Sequence, residues 1–340
     1  VSEILGASPY GFYVFNCQAP DAGNMEVLIE TGTKEQKEKY LQPLLEGKIR
    51  SCFAMTEPNY AGSNPTRMGT TAKKEDGNYI INGHKWFTSS ADGASFTIVM
   101  AVTNPSEENK YARASMILVP LDTPGYRLIR NISIMGDEGE DYLSHSEVEF
   151  VNCRVPVSHL IGEEGSGFQL AQVRLGPGRI HHCMRSIGAG ERALELMIRR
   201  GLSREAFGKP IARLGKNTET IAKARIEIEA MRLMVLRAAK AMDTLGNAEA
   251  RVWVSAVKAM VPERVCKIID EAIQVFGATG ISQWTPLARL YAGQRTLRLA
   301  DGPDEVHWHV VGRAEINRYE DDKSPVTTYE RNGGMFSGPA

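Results

Sequence analysis

The chain has 340 residues, of which 42% are hydrophobic and 24% charged, and its formal net charge is -1. This balance is typical of a soluble globular protein with two or three domains, and it does not suggest binding to nucleic acid or to an acidic membrane. No apolar run approaches the length needed to cross a bilayer.

The first 50 residues predict a helical segment. Thr33–Leu41 is charged and amphipathic, and Thr33 with Gln36 resembles a capping box. Pro43 and Gly47 predict the end of this helix. The chain starts with Val1 and has no basic leader. We therefore expect an incomplete N-terminus, at which a targeting peptide would not be visible.

Residues 51–160 predict a small β domain. Asp76-Gly77 and Asn82-Gly83 flank a short β-prone run, which predicts two consecutive tight hairpins. Two continuous apolar runs predict buried strands, and a third segment alternates like a strand with one solvent-facing side. These three segments are Phe96–Val102, Ser115–Val119 and Glu147–Phe150.

Residues 161–322 predict a second helical domain. Glu191–Ile198, Ile221–Met231 and Val254–Phe276 carry helical patterns, and we expect Pro262 to kink or interrupt the last of them. Four or five long helices with short loops predict an antiparallel bundle. Residues 323–340 predict a loose tail. Together the segments predict a multi-domain α+β protein.

Asp301 is the most informative single residue. It ends an apolar run and is followed by Gly302-Pro303 and a helix-forming stretch. Burial disfavours the charged form of a carboxylate and lifts its pKa from roughly 4, which suits a general base. Taken alone, an Asp before Gly-Pro is more typical of a turn or a helix N-cap.

The order of the three segments, together with several local motifs, resembles the acyl-CoA dehydrogenase superfamily. Three segments carry a closer similarity to the branch of family members ten and eleven: Gln18–Leu28, Leu175–Arg185 and Leu297–His307. The resemblance covers essentially the whole chain. The resemblance implies a partial N-terminal helical domain, a middle β-barrel or sandwich domain, and a C-terminal four-helix bundle.

Phe53–Asn64 resembles the first flavin motif of that family. A strand followed by a loop with Pro and Gly can offer backbone N–H groups to a ring or a phosphate. The loop is one residue longer than in the commonest relatives, and Asn64 replaces the usual Asp. A plain hairpin loop is the alternative. The resemblance implies FAD contacts from Phe53, Met55, Thr56, Gly62 and Ser63, with Ser63 also near the acyl-CoA.

Lys85–Ser89 resembles a second flavin motif, with Phe87, Thr88 and Ser89 beside the cofactor. The resemblance implies that Phe87 supplies an aromatic face and Ser89 a hydroxyl for the flavin. Trp86 is the alternative source of the aromatic face. Neighbours in a strand point to opposite sides, so we expect only one of the two rings to face the flavin. Both could also be core aromatics.

Two further segments resemble parts of the family's cofactor site. Arg204–Pro210 resembles the adenine and diphosphate motif, for which a guanidinium is well suited; a solvated cation at a helix end is the alternative. Gln274–Gly280 resembles a segment that touches the FAD of a neighbouring subunit, and reads otherwise as a helix C-cap. The resemblance thus implies a homodimer or homotetramer, with contacts from Arg204, Ala206, Phe207, Gln274, Gly277 and Ala278.

The resemblance assigns the α-proton base to Asp301. Most relatives have Glu at this position, and some carry the base just before the Arg aligned with Arg179, where this chain has Gly178. Asp301 is therefore the carboxylate left in either place. Gly178, Arg179 and Gly302 are implied to contact the substrate, and Pro303 and Glu305 replace the usual Thr and Gln near the cofactor.

His181 and His182 could serve as bases or metal ligands, although hydrogen-bonded histidines of a helix bundle are the commoner case. No ligand-spaced pair accompanies them, and no metal site is expected. The five cysteines are scattered without a Cys-x-x-Cys pair, which predicts a reducing compartment and argues against a disulfide framework. That compartment is the cytoplasm for a bacterial protein, and mitochondria or peroxisomes for a eukaryotic one.

The resulting hypothesis is an FAD-dependent acyl-CoA dehydrogenase that passes electrons to an electron-transfer flavoprotein. A flavin oxidase of the same fold, acting on an acyl-CoA or a nitroalkane, is an alternative from the same resemblance. A non-catalytic flavin-binding scaffold is the third possibility. Asp301 and Arg179 argue against the scaffold.

Overall fold

The computed structural model describes residues 1–320, so the predicted tail at 323–340 lies outside the described residues. The N-terminal segment is helical, as expected. Its elements are α1 (Ser2–Gly6), α2 (Gly11–Val14), α3 (Asp21–Thr31), α4 (Lys34–Gln36), a π-helical stretch (Lys37–Leu41) and α5 (Gln42–Leu45).

The predicted capping box is confirmed. The Thr33 hydroxyl accepts from the Gln36 N–H, and the Gln36 side chain accepts from the Thr33 N–H. The prediction that Pro43 marks the helix end is wrong, because Pro43 lies in the first turn of α5. There a missing N–H costs no helical hydrogen bond. The helix ends at Leu45 instead, before Gly47 with φ +68°.

Eight strands form one hydrogen-bonded sheet with the order β6-β7-β3-β2-β4-β5-β8, and β1 pairs with β4 outside that path. The strands are β1 (Ser51–Ala54), β2 (Thr71–Glu75), β3 (Asn78–Ser89), β4 (Phe96–Val102), β5 (Ala114–Pro120), β6 (Tyr126–Asn131), β7 (His145–Pro156) and β8 (Leu160–Ile161).

One of the two predicted hairpins is present. Asp76 and Gly77, with φ of +47° and +74°, join β2 to β3, as an Asp-Gly turn requires. The second is wrong, because Asn82-Gly83 lies inside β3 at an irregularity in its pairing with β7. Glycine is needed there for close approach, since a Cβ on Gly83 would lie 2.2 Å from the Thr70 hydroxyl oxygen.

Strands β4 and β5 are buried on both faces, which explains their continuous apolar runs. Alternate residues such as Ile98 and Val99 enter two different cores. One core lies between the sheet, helix α3 and the start of the helix that begins at Gly167, and the other lies within the β domain. β7 departs from prediction because Glu147 is buried, with its carboxylate bonded to His84 (2.8 Å) and Arg130 (2.7 Å).

The remaining described residues form a helical domain. Its helices are α6 (Gly167–Ser203), α7 (Asn217–Phe276), α8 (Leu287–Leu297) and α9 (Asp304–Asn317), with a small hairpin of β9 (Glu205–Ala206) and β10 (Lys209–Pro210) after α6. The prediction for Pro262 is wrong: α7 passes through it and breaks at Gly246, with φ +83° and ψ +171°. The domain limits proposed from the sequence remain predictions.

Within residues 1–320, no helix combines the length and apolarity that a membrane crossing would need. The described residues also contain no group of three or more His, Cys, Asp or Glu side chains placed to bind a metal ion.

A candidate active-site cleft

A cleft of about 2200 Å³ opens between the N-terminal helices, the β domain and helices α6, α8 and α9. It collects the predicted site residues Phe53, Met55, Thr56, Gly62, Ser63, Phe87, Ser89, Gly178, Arg179, Asp301, Gly302 and Pro303. Since a pocket for one small ligand usually measures about 300–1000 Å³, the cleft has room for two ligands side by side.

The loop after β1 is anchored by a buried ion pair. Lys85 is 0% exposed and donates from Nζ to the Met55 carbonyl and to Glu57 Oε1, both at 2.8 Å. Glu57 also accepts from the Gly69 and Thr70 N–H groups at 2.6 and 2.9 Å. Burial lowers the pKa of Lys85 to about 8, with Glu57 opposing the shift. Both residues lie in the segments that resemble flavin motifs, but no role was predicted for either side chain from the sequence.

The end of β3 places two aromatic rings on the cleft wall. Phe87 has φ +49°, and the pairing of β3 with β7 shifts register between Lys85 and Thr88. The bulge breaks the alternation of a regular strand. Trp86 and Phe87 consequently both line the cleft, with ring centroids 5.0 Å apart. The regular-strand alternation behind the expectation that only one ring faces the flavin therefore does not hold here, and the choice between the two rings stays a prediction.

Thr88 and Ser89 have different surroundings. Thr88 is fully buried and does not line the cleft, and its predicted cofactor contact stays a prediction. Ser89 does reach the cleft, and its Oγ lies 2.8 Å from Nδ1 of His145. Burial lowers the pKa of His145, which favours a neutral ring. His145 was not predicted from the sequence.

Asp301 sits in the tight connection between α8 and α9. Its φ is +58° and that of Gly302 is +103°, so the turn expectation is met, but the N-cap of α9 is Pro303. The Asp301 carbonyl accepts from Arg179 Nε at 3.0 Å and lies 3.1 Å from His307 Nε2. These contacts hold a backbone conformation that non-glycine residues rarely adopt.

Buried Lys258 of α7 also binds the backbone of the connection between α8 and α9. Its Nζ donates to the Leu297 carbonyl at 2.6 Å and to the Gly302 carbonyl at 3.2 Å. Lys258 is 0% exposed, and burial lowers its pKa. The Asp301 backbone is therefore held from α6, α7 and α9 together.

The Asp301 carboxylate faces α6. Its Oδ2 lies 2.9 Å from His182 Nε2, and a Cβ built on Gly178 would lie 3.7 Å from the same oxygen. Relatives are expected to carry the base at the position of Asp301 or at that of Gly178. Side chains at these two positions would reach the same place in the cleft. His182 matches the hydrogen-bonded bundle histidine considered for this position, but its partner is the predicted base.

The expected rise in the pKa of Asp301 is wrong. Burial does raise it, but the hydrogen bond from His182 and the charges of Arg174 and Arg179 outweigh burial and hold the pKa of the carboxyl below its usual range. The arginines of α6 and the hydrogen bond from His182 therefore keep Asp301 ionised. Burial and the nearby charge of Arg185 lower the pKa of His182, and Asp301 raises it by less. The imidazole of His182 is therefore neutral near pH 7.

One face of α6 supplies much of this site. Positions four apart lie on the same side of a helix, and Leu170, Arg174, Gly178, His182 and Ser186 form such a row. The guanidinium of Arg174 lies 4.1 Å from the Phe53 ring centroid, and its Nε donates to Asn24. Polar side chains four residues apart on one face of α6 are the sequence signal that could have linked Arg174 and His182 to this site.

The other predicted site residues lie away from the cleft. Phe207 is 97% exposed at the tip of the β9–β10 hairpin, and Gly277, with φ +66°, caps α7 as the alternative interpretation expected. None of this group lines the cleft of its own chain. The group comprises Arg204, Ala206, Phe207, Gln274, Gly277, Ala278 and Glu305, of which Ala206 is half-buried and the others exposed.

Comparisons with known proteins match this architecture domain by domain. Residues 52–153 match the family described as acyl-CoA dehydrogenase, middle domain. Residues 165–316 match the family described as acyl-CoA dehydrogenase, C-terminal domain. The two matches cover the β domain and the helical domain that border the cleft.

Two relatives have the same residue as this chain at about half of the aligned positions. The chain is 51% identical over 318 residues to acyl-CoA dehydrogenase family member 11 of Gallus gallus, covering 93% of this chain but 41% of that protein. It is 50% identical to FadE2 of Mycobacterium tuberculosis, assigned as an acyl-CoA dehydrogenase, covering 89% of this chain and 74% of that protein. Relatives therefore occur in both bacteria and eukaryotes, and the chain spans less than half of the avian one.

A solved structure has the same fold. It belongs to a Mycobacterium abscessus protein assigned as an acyl-CoA dehydrogenase, with a TM-score of 0.91 and 48% sequence identity. The alignment covers 94% of this chain and 78% of that one.

Proposed function

Because the chain belongs to the acyl-CoA dehydrogenase family, we propose that it catalyses FAD-dependent dehydrogenation of an acyl-CoA thioester to the trans-2-enoyl-CoA. Asp301 removes the α-proton in this proposal, and electron-transfer flavoprotein receives the electrons. The observation that carries the proposal is the Asp301 carboxylate on the wall of the same cleft as the loop from Met55 to Ser63 and the Trp86–Phe87 pair.

The residues of the cleft fit FAD. Trp86 and Phe87 offer aromatic faces, and Ser89 offers a hydroxyl whose other partner is His145. The loop that Lys85 anchors carries Gly62, where a Cβ would lie 2.5 Å from the Thr56 side-chain methyl, so that a larger residue would require the Thr56 side chain to move. When bound there, FAD would supply the acceptor for the β-hydride.

Asp301 is placed and charged to accept a proton, but the pKa that its neighbours hold low makes it a weaker base than the raised pKa expected from the sequence would. It is ionised, and its side chain is only 20% exposed. An ionised carboxylate can take a proton, and exclusion of water strengthens any donor that stabilises the developing enolate oxygen. Asp is one methylene shorter than the usual Glu. The clamped backbone between α8 and α9 fixes how far this shorter side chain reaches into the cleft.

The proposal is tested by anaerobic mixing of FAD-loaded protein with a panel of acyl-CoAs that vary in chain length, branching and 4-hydroxylation. We expect at least one of them to bleach the flavin and to yield the 2-enoyl-CoA. Flavin that dithionite bleaches but no acyl-CoA does would contradict a dehydrogenase and favour a flavin-binding scaffold. Rapid reoxidation of the bleached flavin by oxygen would instead indicate an oxidase. Slow reoxidation by oxygen and fast reoxidation by electron-transfer flavoprotein are expected.

A second prediction concerns subunits. Arg204 and Gln274 lie outside the cleft of their own chain and are exposed, which supports a cofactor site shared between copies. We expect a homodimer or homotetramer by analytical ultracentrifugation, and a lower flavin content in Arg204→Ala. Arg313→Ala, which removes an exposed arginine of α9, is the control. A flavin-saturated monomer would contradict the shared site.

The compartment in this proposal depends on the source organism. It is the cytoplasm for a bacterial protein, and mitochondria or peroxisomes for a eukaryotic one.

A further inference from the structure

We infer that His182 is the positioning residue of the base: it holds one carboxylate oxygen of Asp301 and leaves the other free for the α-proton. The inference rests on the proposed function, because it assigns a role to a neighbour of the proposed base. It concerns a residue of α6 that touches Asp301.

The contact geometry supports this assignment. His182 is 6% exposed, and its Nε2 lies 2.9 Å from Asp301 Oδ2. An ionised carboxylate can only accept hydrogen bonds, so Nε2 carries the proton and donates it. The backbone of Asp301 is already held through its carbonyl by Arg179 and His307. With the backbone fixed, the bond from His182 restrains the two side-chain torsions and the direction in which Oδ1 points.

The other ring nitrogen of His182 is consistent with a neutral donor. Nδ1 is buried and has no hydrogen-bond partner among the described residues. An imidazolium would bury a second N–H without an acceptor, at a cost that a neutral ring avoids. His182 is therefore a neutral donor that stabilises the ionised carboxylate without adding another formal charge to the cleft.

The surroundings of Asp301 show why a donor is needed. Burial alone would raise the pKa of this carboxyl, and a protonated Asp301 could not act as a base. The hydrogen bond from His182 and the charges of Arg174 and Arg179 oppose that rise. Three further groups face Asp301, which opposes the lowering of their own pKa values by burial: Arg185 on α6, Lys258 on α7 and His307 on α9. Asp304 of α9 is paired with Arg298. Among the groups that face Asp301, His182 makes the direct bond to the carboxylate.

The test is the pH dependence of single-turnover flavin bleaching by the best acyl-CoA. The hydrogen bond from His182 lowers the pKa of Asp301. Removing the donor therefore raises that pKa and moves the acid limb of the rate profile to higher pH. We expect a shift of about one to two pH units in His182→Leu. His182→Gln keeps an N–H donor of similar reach and is expected to restore the wild-type limb. His181→Leu is the matched control, since His181 packs edge-on against Phe12 and not on Asp301.

An equilibrium measurement gives a second readout that needs no turnover. Infrared spectra of the holoenzyme are recorded against pH, and the spectrum of Asp301→Asn is subtracted to isolate the Asp301 carboxyl. In wild type, the band of the protonated acid should stay absent down to about pH 4, the ordinary value for Asp. In His182→Leu the band should appear at higher pH. A wild-type band with an ordinary midpoint would overturn the inference even if His182→Leu did not fold.

The outcomes separate the two proposals. If no acyl-CoA bleaches wild type, or if Asp301→Asn bleaches as fast as wild type, the proposed function fails. If wild type bleaches and Asp301→Asn does not, an acid limb in His182→Leu that coincides with the wild-type limb overturns the role of His182 alone.

Discussion

Asp301→Asn is expected to lower the rate of flavin reduction by acyl-CoA by about 10²–10⁴-fold, the range typical for loss of a positioned base. Asparagine is nearly isosteric and its amide oxygen can still accept from His182, so the fold and FAD content should persist. The amide cannot take up the α-proton at neutral pH. Anaerobic stopped flow measures the chemical step apart from reoxidation. An unchanged bleaching rate would exclude Asp301 as the base.

Asp301→Glu is the informative partner of that variant. It restores the residue expected in most relatives, but the extra methylene must fit between His182 and Gly178, which border the carboxylate. We expect intermediate bleaching, slower than wild type and faster than Asp301→Asn. Full activity would show that the cleft does not discriminate between the two lengths.

Lys85→Met is expected to destabilise the protein by about 3–5 kcal/mol, because it leaves the Glu57 carboxylate buried without its cation. The loop from Met55 to Ser63 loses its anchor as well, so flavin content should fall with stability. Urea denaturation followed by circular dichroism gives the change in the free energy of unfolding. FAD release measured by fluorescence reports the effect on the loop.

Two companion variants make that result specific. Lys74→Met applies the same substitution to an exposed lysine of β2 and should change the free energy of unfolding little. Glu57→Gln combined with Lys85→Met removes the uncompensated charge, and we expect it to recover part of the loss. If Lys85→Met and Lys74→Met unfold at the same urea concentration, the buried pair does not stabilise the loop.

Local sequence signals predicted those elements whose causes lie within a few residues. The Thr33–Gln36 capping box and the Asp76-Gly77 turn are of this kind, because side-chain caps and turn dihedrals depend on adjacent residues. The continuous apolar runs of β4 and β5 were also sufficient, since both faces of these strands are buried. Asn82-Gly83 has the same local signal as a turn, but in the fold it continues β3 at an irregularity in the pairing with β7, where Gly83 leaves room for the Thr70 side chain.

Pro262 illustrates the same limit of local sequence signals. Pro262 predicts an interruption from its chemistry, yet α7 continues through it and breaks at Gly246. A helix packed in a buried core can accommodate a missing N–H, because tertiary contacts offset its local cost.

Trp86 and Phe87 both line the cleft because a bulge in β3 breaks the regular alternation of side chains. The strand pattern in the sequence does not reveal this bulge.

By itself, the sequence determined the order of helical and β segments, the family resemblance and Asp301 as the candidate base, because these depend on composition, periodicity and short motifs. Only the tertiary structure decided how Asp301 is held and charged. His182, Arg174 and Lys258 approach it from distant parts of the chain. Electrostatic effects act through space, so the pKa of a buried carboxyl depends on neighbours that the chain brings together only when it folds.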